Sequence, residues 1–428
     1  MTNSDANLFD DFEWRGMVYD ATEGLRRLMA DGRVTAYIGF DPTASSLHVG
    51  SLLPVMALAR MQRLGHSPIA LVGGATGMIG DPSGKSQERS LLTRDQIEEN
   101  LAGIRGQIER FLDFDHAGNP ARIVNNADWL AAFDLLGFLR DTGKYFTVNY
   151  MLQKESVNRR LESEEGISFT EFSYLLLQAR DFLELFDRYG CTLQLGGSDQ
   201  WGNITAGIDL IRKLRAAKAH GLVMPLVTAA SGTKFGKTEA GTIWLDATRT
   251  SPFRFYQFWL NTDDRDVVTY LKYFTFLDRE SVVALEAATT AAPERREAQR
   301  ALAREVTSLV HGSDQTVRAE QASTVLFGED IATLDADDVL AVFEDVPSTE
   351  VVLGEFGGDG VGIVDLVARI RLAASKGEAR RLVQSGGVYV NNRRVSDVQL
   401  RLTAADAIGG RLFVLRKGQK QNHVVKIT

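Results

Sequence analysis

In the first half of the chain, short apolar runs alternate with stretches of helical period, and this alternation limits the fold more than any other feature. Residues 34–40 read as a strand and residues 48–64 as a helix, with Leu52, Leu53, Met56, Leu58, Met61 and Leu64 recurring near 3.6 residues. Residues 68–72 read as the next strand, residues 93–112 as an amphipathic helix opened by a threonine cap, and residues 172–189, 192–195 and 199–217 as helix, strand and helix. Strands that alternate with helices pair in parallel, so the expected class is α/β with a Rossmann-like, doubly wound parallel sheet. From about residue 251 to 323 the pattern is helical, including residues 252–260, 266–276 and 294–311. Residues 328–360 carry ten acidic side chains and no basic one, and glycines gather at Gly354, Gly357, Gly358, Gly360 and Gly362. That composition predicts a linker with room for one short helix. The expected division is a sheet domain over 1–228, an α-helical domain over 229–325, a linker over 326–360 and a small α+β domain over 361–428.

Composition narrows the chemistry. A chain of 428 residues exceeds what one core usually serves. No apolar run approaches the roughly 20 residues that span a bilayer, so no membrane association is expected. The first residues, MTNSDANLFDDFEW, are acidic and hold no basic residue before Arg15, unlike a secretory signal or transit peptide. Cys191 stands alone, which excludes an internal disulfide and any multi-cysteine metal site. The six histidines include no pair at helical metal-ligand spacing, so no metal site is expected and the anticipated compartment is the cytoplasm. The net charge is −8, yet residues 363–428 hold 13 Lys and Arg against 4 Asp and Glu, a local +9 that leaves −17 on the remainder. A basic end on an acidic body predicts a localised polyanion contact.

Two motifs carry the nucleotide chemistry. In YIGFDPTASSLHVGS, Tyr37, Gly39 and Asp41 share one face of a strand, and Gly39 lets a flat group approach the backbone. Asp41 and Pro42 turn the chain, and His48-Val49-Gly50-Ser51 opens a helix, whose free N–H groups and dipole attract phosphate. The second motif is Lys234-Phe235-Gly236-Lys237-Thr238, which follows an apolar strand at 222–227 and forms a cationic clamp. Either alone is more often a capped helix or a pair of solvated lysines. Together they resemble the paired signatures of class I aminoacyl-tRNA synthetases, usually His-Ile-Gly-His and Lys-Met-Ser-Lys-Ser. Ser51 stands where the second histidine usually does.

A pocket follows from further spacings. The glycine-rich run at 73–86 fails as a P-loop, because Ile79 occupies the required glycine position, and it reads instead as a turn presenting Asp81. Tyr174, Gln178 and Asp181 share one helical stripe flanked by apolar residues, costly in a core and sensible toward a polar ligand. The run from Leu195 through Gly197, Asp199 and Gln200 to Asn203 is a strand end opening a helix, where doubly wound sheets bind ligands.

In this order, over essentially the whole chain, the set resembles the tyrosyl-tRNA synthetases. The resemblance implies that Tyr37 and Asp181 bind the substrate phenol. Asp81, Tyr174 and Gln178 would hold the α-ammonium, with Gln200 near the carboxylate. Gly39, Asp41, Gly50, Ser51, Gly197 and Asp199 would border ATP, and Thr43 and His48 would meet its phosphates. Lys85, Arg89, Lys234, Lys237 and Thr238 would neutralise the departing pyrophosphate. ATP would enter as a substrate carrying Mg²⁺, with no tightly bound cofactor. The basic end resembles the S-four RNA-binding module, with Arg380, Arg381, Arg393 and Arg394 toward tRNA(Tyr). The resemblance further implies a homodimer with its interface near residues 125–165. Two readings stay open beside it: a tryptophan–tRNA ligase, and a non-catalytic RNA-binding protein descended from a synthetase. A third, a small-molecule adenylyltransferase, fits the basic end poorly.

Overall fold

The computed structural model describes residues 7–83, 92–162, 166–230, 232, 235–238, 241–325, 331, 336–343, 346–418 and 421–428. They divide into two compact units, one formed by Met1–Arg249 with Thr262–Leu302, the other by Thr250–Asn261 with Ala303–Thr428.

The first unit is built on a six-stranded sheet of β1 (Asp20–Ala21), β2 (Thr35–Phe40), β3 (Ser67–Val72), β4 (Arg122–Asn125), β5 (Leu193–Gly197) and β6 (His220–Met224). Its order is β1-β6-β5-β2-β3-β4, with all neighbours parallel except β1 against β6. The sequence of strands runs outward from β2 through β3 to β4 and resumes on the other side at β5. The order therefore reverses between β2 and β5, and a crevice opens at their carboxyl ends. Every residue of β3 is buried, as expected of a central parallel strand covered on both faces.

Local signals explain the helices. Thr93 and Gln96 form a complete capping box ahead of the helix Arg94–Ile108. Ser168 caps Phe169–Tyr189, and Gly190 ends it at φ +61°. Gly207 brings the helix Trp201–Arg215 close to that one, since a Cβ there would stand 2.8 Å from a ring carbon of Phe182. Tyr37, Ile69, Phe182, Leu183, Ala206 and Leu210 form the core between them. A short hairpin, β7 (Lys237–Thr238) and β8 (Gly241–Thr242), follows the sheet.

The second unit holds the helices Pro252–Leu260, Ser313–Val325 and Ala336–Val342 and a mixed sheet. The sheet comprises β9 (Ser348–Val351), β11 (Val388–Val390), β12 (Arg393–Val395), β14 (Leu412–Lys417) and β15 (Gln421–Ile427), in the order β12-β11-β14-β15-β9. β10 (Val361–Gly362) and β13 (Arg401–Leu402) form a separate pair. One face of the sheet packs Val388, Val390, Phe413, Leu415 and Val425 against the helices Ile363–Arg369 and Lys376–Gln384. The other packs Leu412, Val414 and Val424 under Val339 and Phe343.

The acidic segment differs from the expected linker. Within 326–360 the described residues include the helix Ala336–Val342 and β9, which pairs in parallel with β15, while Val351 and Phe356 enter the core. Acidic side chains on the outside hid the pattern, and the edge strand is completed by a partner some seventy-five residues away, as Ser348 opposite Val424 shows.

Candidate active site

The crevice at the β2–β5 reversal deepens into a cleft of about 720 Å³. Tyr37, Gly39, Asp41, Thr43, His48, Gly50, Ser51, Asp81, Tyr174, Gln178, Asp181, Gly197, Asp199 and Gln200 all line it. The strand face, the helix N-terminus and the helical stripe read from the sequence therefore converge on one space. Lys237 and Thr238 stand exposed on the β7–β8 hairpin and do not line the cleft. Lys85, Arg89 and Lys234 lie outside the described residues.

At the floor, Tyr37 is fully buried and its hydroxyl has no hydrogen-bond partner among the described residues. Its ring meets Phe182 edge-on, with centroids 5.3 Å apart. Burial, and then the field of Asp181, hold this phenol well above its ordinary pKa. Asp181 is equally buried but already engaged. Its Oδ1 accepts from Trp129 Nε1 at 2.7 Å, and its Oδ2 accepts from Asn126 Nδ2 at 3.0 Å. Burial pushes its pKa up to about 7, against the pull of those two donors. A carboxylate oxygen has two acceptor sites, so each still has room for one more donor. Gln194, opposite Tyr37 in β5, adds to the cleft wall a buried side-chain oxygen without a partner among the described residues.

Above the floor lies a polar belt. Tyr174 donates to Asp41 Oδ2 at 3.1 Å, and Thr76 donates to Asp41 Oδ1 at 3.2 Å. Burial and the nearby carboxylates of Asp41, Asp81 and Asp181 raise the Tyr174 pKa. Gln200 Nε2 donates to Asp81 Oδ2 at 2.7 Å, and Gln178 Nε2 donates to Gln200 Oε1 at 3.2 Å. Asn203 Nδ2 donates to Gln178 Oε1 at 3.1 Å. Asp81 Oδ1 accepts from Ser83 N–H at 2.9 Å, so each oxygen of Asp81, Gln178 and Gln200 is already engaged, and an ammonium would draw on the remaining acceptor sites of these cleft-lining groups.

At the mouth, His48 caps the turn that precedes the helix Leu52–Arg63. Gly50 N–H donates to His48 Nδ1 at 3.0 Å, so Nε2 carries the ring hydrogen and is the donor. A Cβ at Gly50 would stand 2.7 Å from His48 Cε1, so glycine lets the imidazole keep this position. His48 also bridges backbone to backbone with Trp244. Val49 N–H donates to Ile243 O at 3.1 Å and Leu245 N–H to Leu47 O at 2.9 Å, while Ile243 N–H donates to Gly236 O at 3.0 Å. The chain leaving the second motif is thus zipped to the first.

Sequence reasoning missed Asn126 and Trp129, which hold Asp181, along with Thr76 and Gln194. Asn126 precedes and Trp129 lies within the one-turn helix Ala127–Leu130 after β4, too short for any periodicity to mark them. Asn203 was signalled by its place in the glycine-opened helix.

The description "tRNA synthetases class I (W and Y)" matches residues 29–328, and "Tyrosine--tRNA ligase SYY-like C-terminal domain" matches residues 338–425. The tyrosine–tRNA ligase of Roseiflexus castenholzii is 56% identical over 98% of this chain and 99% of its own. The chain belongs to the tyrosine–tRNA ligases. The Geobacillus kaustophilus tyrosine–tRNA ligase is 54% identical over 98% of this chain and 99% of its own. A C-terminally truncated mitochondrial tyrosyl-tRNA synthetase from Aspergillus nidulans superposes with a TM-score of 0.68 at 33% identity, covering 75% of this chain and 94% of its own. As a class I tyrosine–tRNA ligase the chain uses ATP to activate tyrosine and joins it to tRNA, and the tryptophan and non-catalytic readings give way.

Proposed function

We propose that the cleft performs the first half of this reaction, binding tyrosine with its ring at the floor and its carboxylate toward the α-phosphorus of ATP. The observation that carries this is the buried Tyr37 hydroxyl, which lacks a partner among the described residues beside the Asp181 carboxyl. A substrate phenol supplies both a donor and an acceptor there. Phenylalanine leaves the buried Tyr37 hydroxyl unmatched and adds no donor to Asp181, so it is rejected without editing, a form of selectivity whose standard example is this same enzyme family. Asp81, Tyr174 and Gln178 would take the ammonium, with Gln200 near the carboxylate and Asp41 as the acceptor that orients Tyr174. Gly39, Gly50, Ser51, Gly197 and Asp199 would border ATP, which arrives with Mg²⁺.

Step one needs no general base, because the attacking carboxylate is already ionised. It forms the bond to phosphorus as pyrophosphate departs, so catalysis rests on alignment and on donors to the developing charge. His48 Nε2–H and Thr43 are those donors in this proposal, joined by Lys85, Arg89, Lys234, Lys237 and Thr238 on the leaving side. His48→Ala is expected to slow pyrophosphate exchange roughly 10²–10³-fold with the tyrosine KM nearly unchanged. A loss confined to tyrosine binding would remove His48 from this role. The specificity test is exchange driven by tyrosine and by phenylalanine in wild type and Tyr37→Phe. Discrimination should fall in the variant, and comparable rates for the two amino acids in wild type would sink the pocket assignment.

The second step is assigned to tRNA(Tyr) held by the basic end. Arg380 and Arg381 project from the helix Lys376–Gln384, and Arg393 lies exposed on β12. Arg394 is different: its Nε and Nη2 donate to the carbonyls of Gly386 and Ser385 at 2.8 and 3.1 Å. It serves the turn first and a phosphate second. The division into catalytic, helical and RNA-binding parts belongs to the same proposal, as does a cytoplasmic site of action, which suits a single buried cysteine. A homodimer is supported by Leu135, Leu136 and Phe169, which are 71%, 76% and 78% exposed, too much large apolar surface to leave in water. Sedimentation of a Leu136→Asp variant tests it: a dimer no weaker than wild type would place the interface elsewhere.

A further inference from the structure

The register of the C-terminal sheet assigns each side chain to a face, because directly paired residues on antiparallel strands point the same way. Leu412 and Val414 lie on the outer face, buried under Val339 and Phe343. Two residues on, the same face reaches Arg416, which pairs with Tyr389 in β11, and Tyr389 pairs in turn with Arg394 in β12. The apolar cover stops there: Tyr389 and Arg416 are half-buried and Arg394 is exposed. The Arg416 guanidinium lies over the Tyr389 ring, 4.0 Å from its centroid, and its Nη1 donates to Gly418 O at 2.8 Å.

A cation over a tyrosine can be no more than a surface pair worth little. Here, however, both flanking cations are fixed by backbone carbonyls, and the patch belongs to a segment carrying +9. We propose that Tyr389 and Arg416 form a stacking platform for an unpaired base of the tRNA. The proposal rests on the reading that the C-terminal unit binds tRNA. Unpaired bases stack on aromatic rings and on arginine planes, whereas bases inside a duplex show no free face, so the platform selects a loop or bulge over a helical arm. A guanidinium already pinned between a ring and a carbonyl loses little rotamer freedom when a base covers its other side.

The test measures tRNA affinity of the full chain at several salt concentrations, with tyrosine-dependent pyrophosphate exchange and thermal melting as folding controls. Tyr389→Ala should weaken binding roughly 5- to 150-fold, the range of one lost base stack, and Tyr389→Phe should stay within about twofold of wild type. Arg416→Lys keeps the charge and loses the plane, so affinity should fall about fivefold or more while the salt slope holds. An Arg380→Ala, Arg381→Ala double variant should instead flatten the slope by about two. If Tyr389→Ala and Arg416→Lys bind like wild type while the double variant weakens, the tail grips tRNA and the platform is wrong. If all of them bind like wild type, the underlying reading falls with it.

Discussion

Asp181 sits between two demands, and in the proposed pocket its ionisation would decide how well the floor receives a phenol. Asn126 and Trp129 donate to its two oxygens, which favours the carboxylate, yet burial outweighs them and raises the pKa to about 7. The folded value exceeds the ordinary aspartate value of about 3.9. Whatever stability this group contributes is therefore present below that value and is lost as pH rises through about 7. Substrate binding has the opposite sign. A phenol that donates to the carboxylate is bound more tightly by the ionised form, so the tyrosine KM should fall as pH rises from 6 to 8. The difference between charged and neutral hydrogen bonds, about 1 kcal/mol, corresponds to a change of about fivefold. Asp181→Asn should flatten the profile and raise the KM throughout. A wild-type KM constant across that range would show that Asp181 is ionised well below 7 or does not meet the substrate.

At the scale of elements, the two nucleotide motifs are joined by backbone. Gly236 adopts φ +77°, and a Cβ there would stand 2.6 Å from Val49 Cγ2. Alanine would cost roughly 1–2 kcal/mol in the left-handed region and would also push the segment that bridges His48 and Trp244. Gly236→Ala should thus slow pyrophosphate exchange about tenfold or more, with tyrosine binding by equilibrium titration unchanged; parallel loss of both would mean that the floor, not the mouth, had moved. The parallel strands and the stripe Tyr174–Gln178–Asp181 were legible in the sequence because period and spacing encode them. The zipper between motifs was not, since it pairs backbone groups that any side chains could carry. Nor were Asn126 and Trp129, which act from a helix of a single turn, or β9, which lies in an acidic run that looks like a linker until β15 pairs with it.

At the scale of the molecule, the chemistry and the basic tail can be separated only at a boundary the packing allows. A cut near residue 355 falls inside the linker expected from the sequence. Such a cut would keep β9 and the helix Ala336–Val342 but remove β14 and β15, stranding Val339, Phe343 and Val351 without their partners. A cut after residue 325 keeps the pair of helices Pro252–Leu260 and Ser313–Val325 and discards the sheet whole. Neither truncation touches the residues that line the cleft, the last of which is Phe235. Both should retain tyrosine-dependent pyrophosphate exchange within about threefold, but the longer fragment should be the less soluble one because it exposes a row of orphaned apolar residues. Both lose the 13 basic residues of 363–428, so charging of tRNA should fall at least about 100-fold at physiological salt. Raising the salt should then cost the truncated forms little of what activity remains, whereas it should cost the full chain much. Charging that survives truncation with its salt dependence intact would mean that tRNA is gripped by the sheet-and-cleft unit and that the positive end serves some other contact.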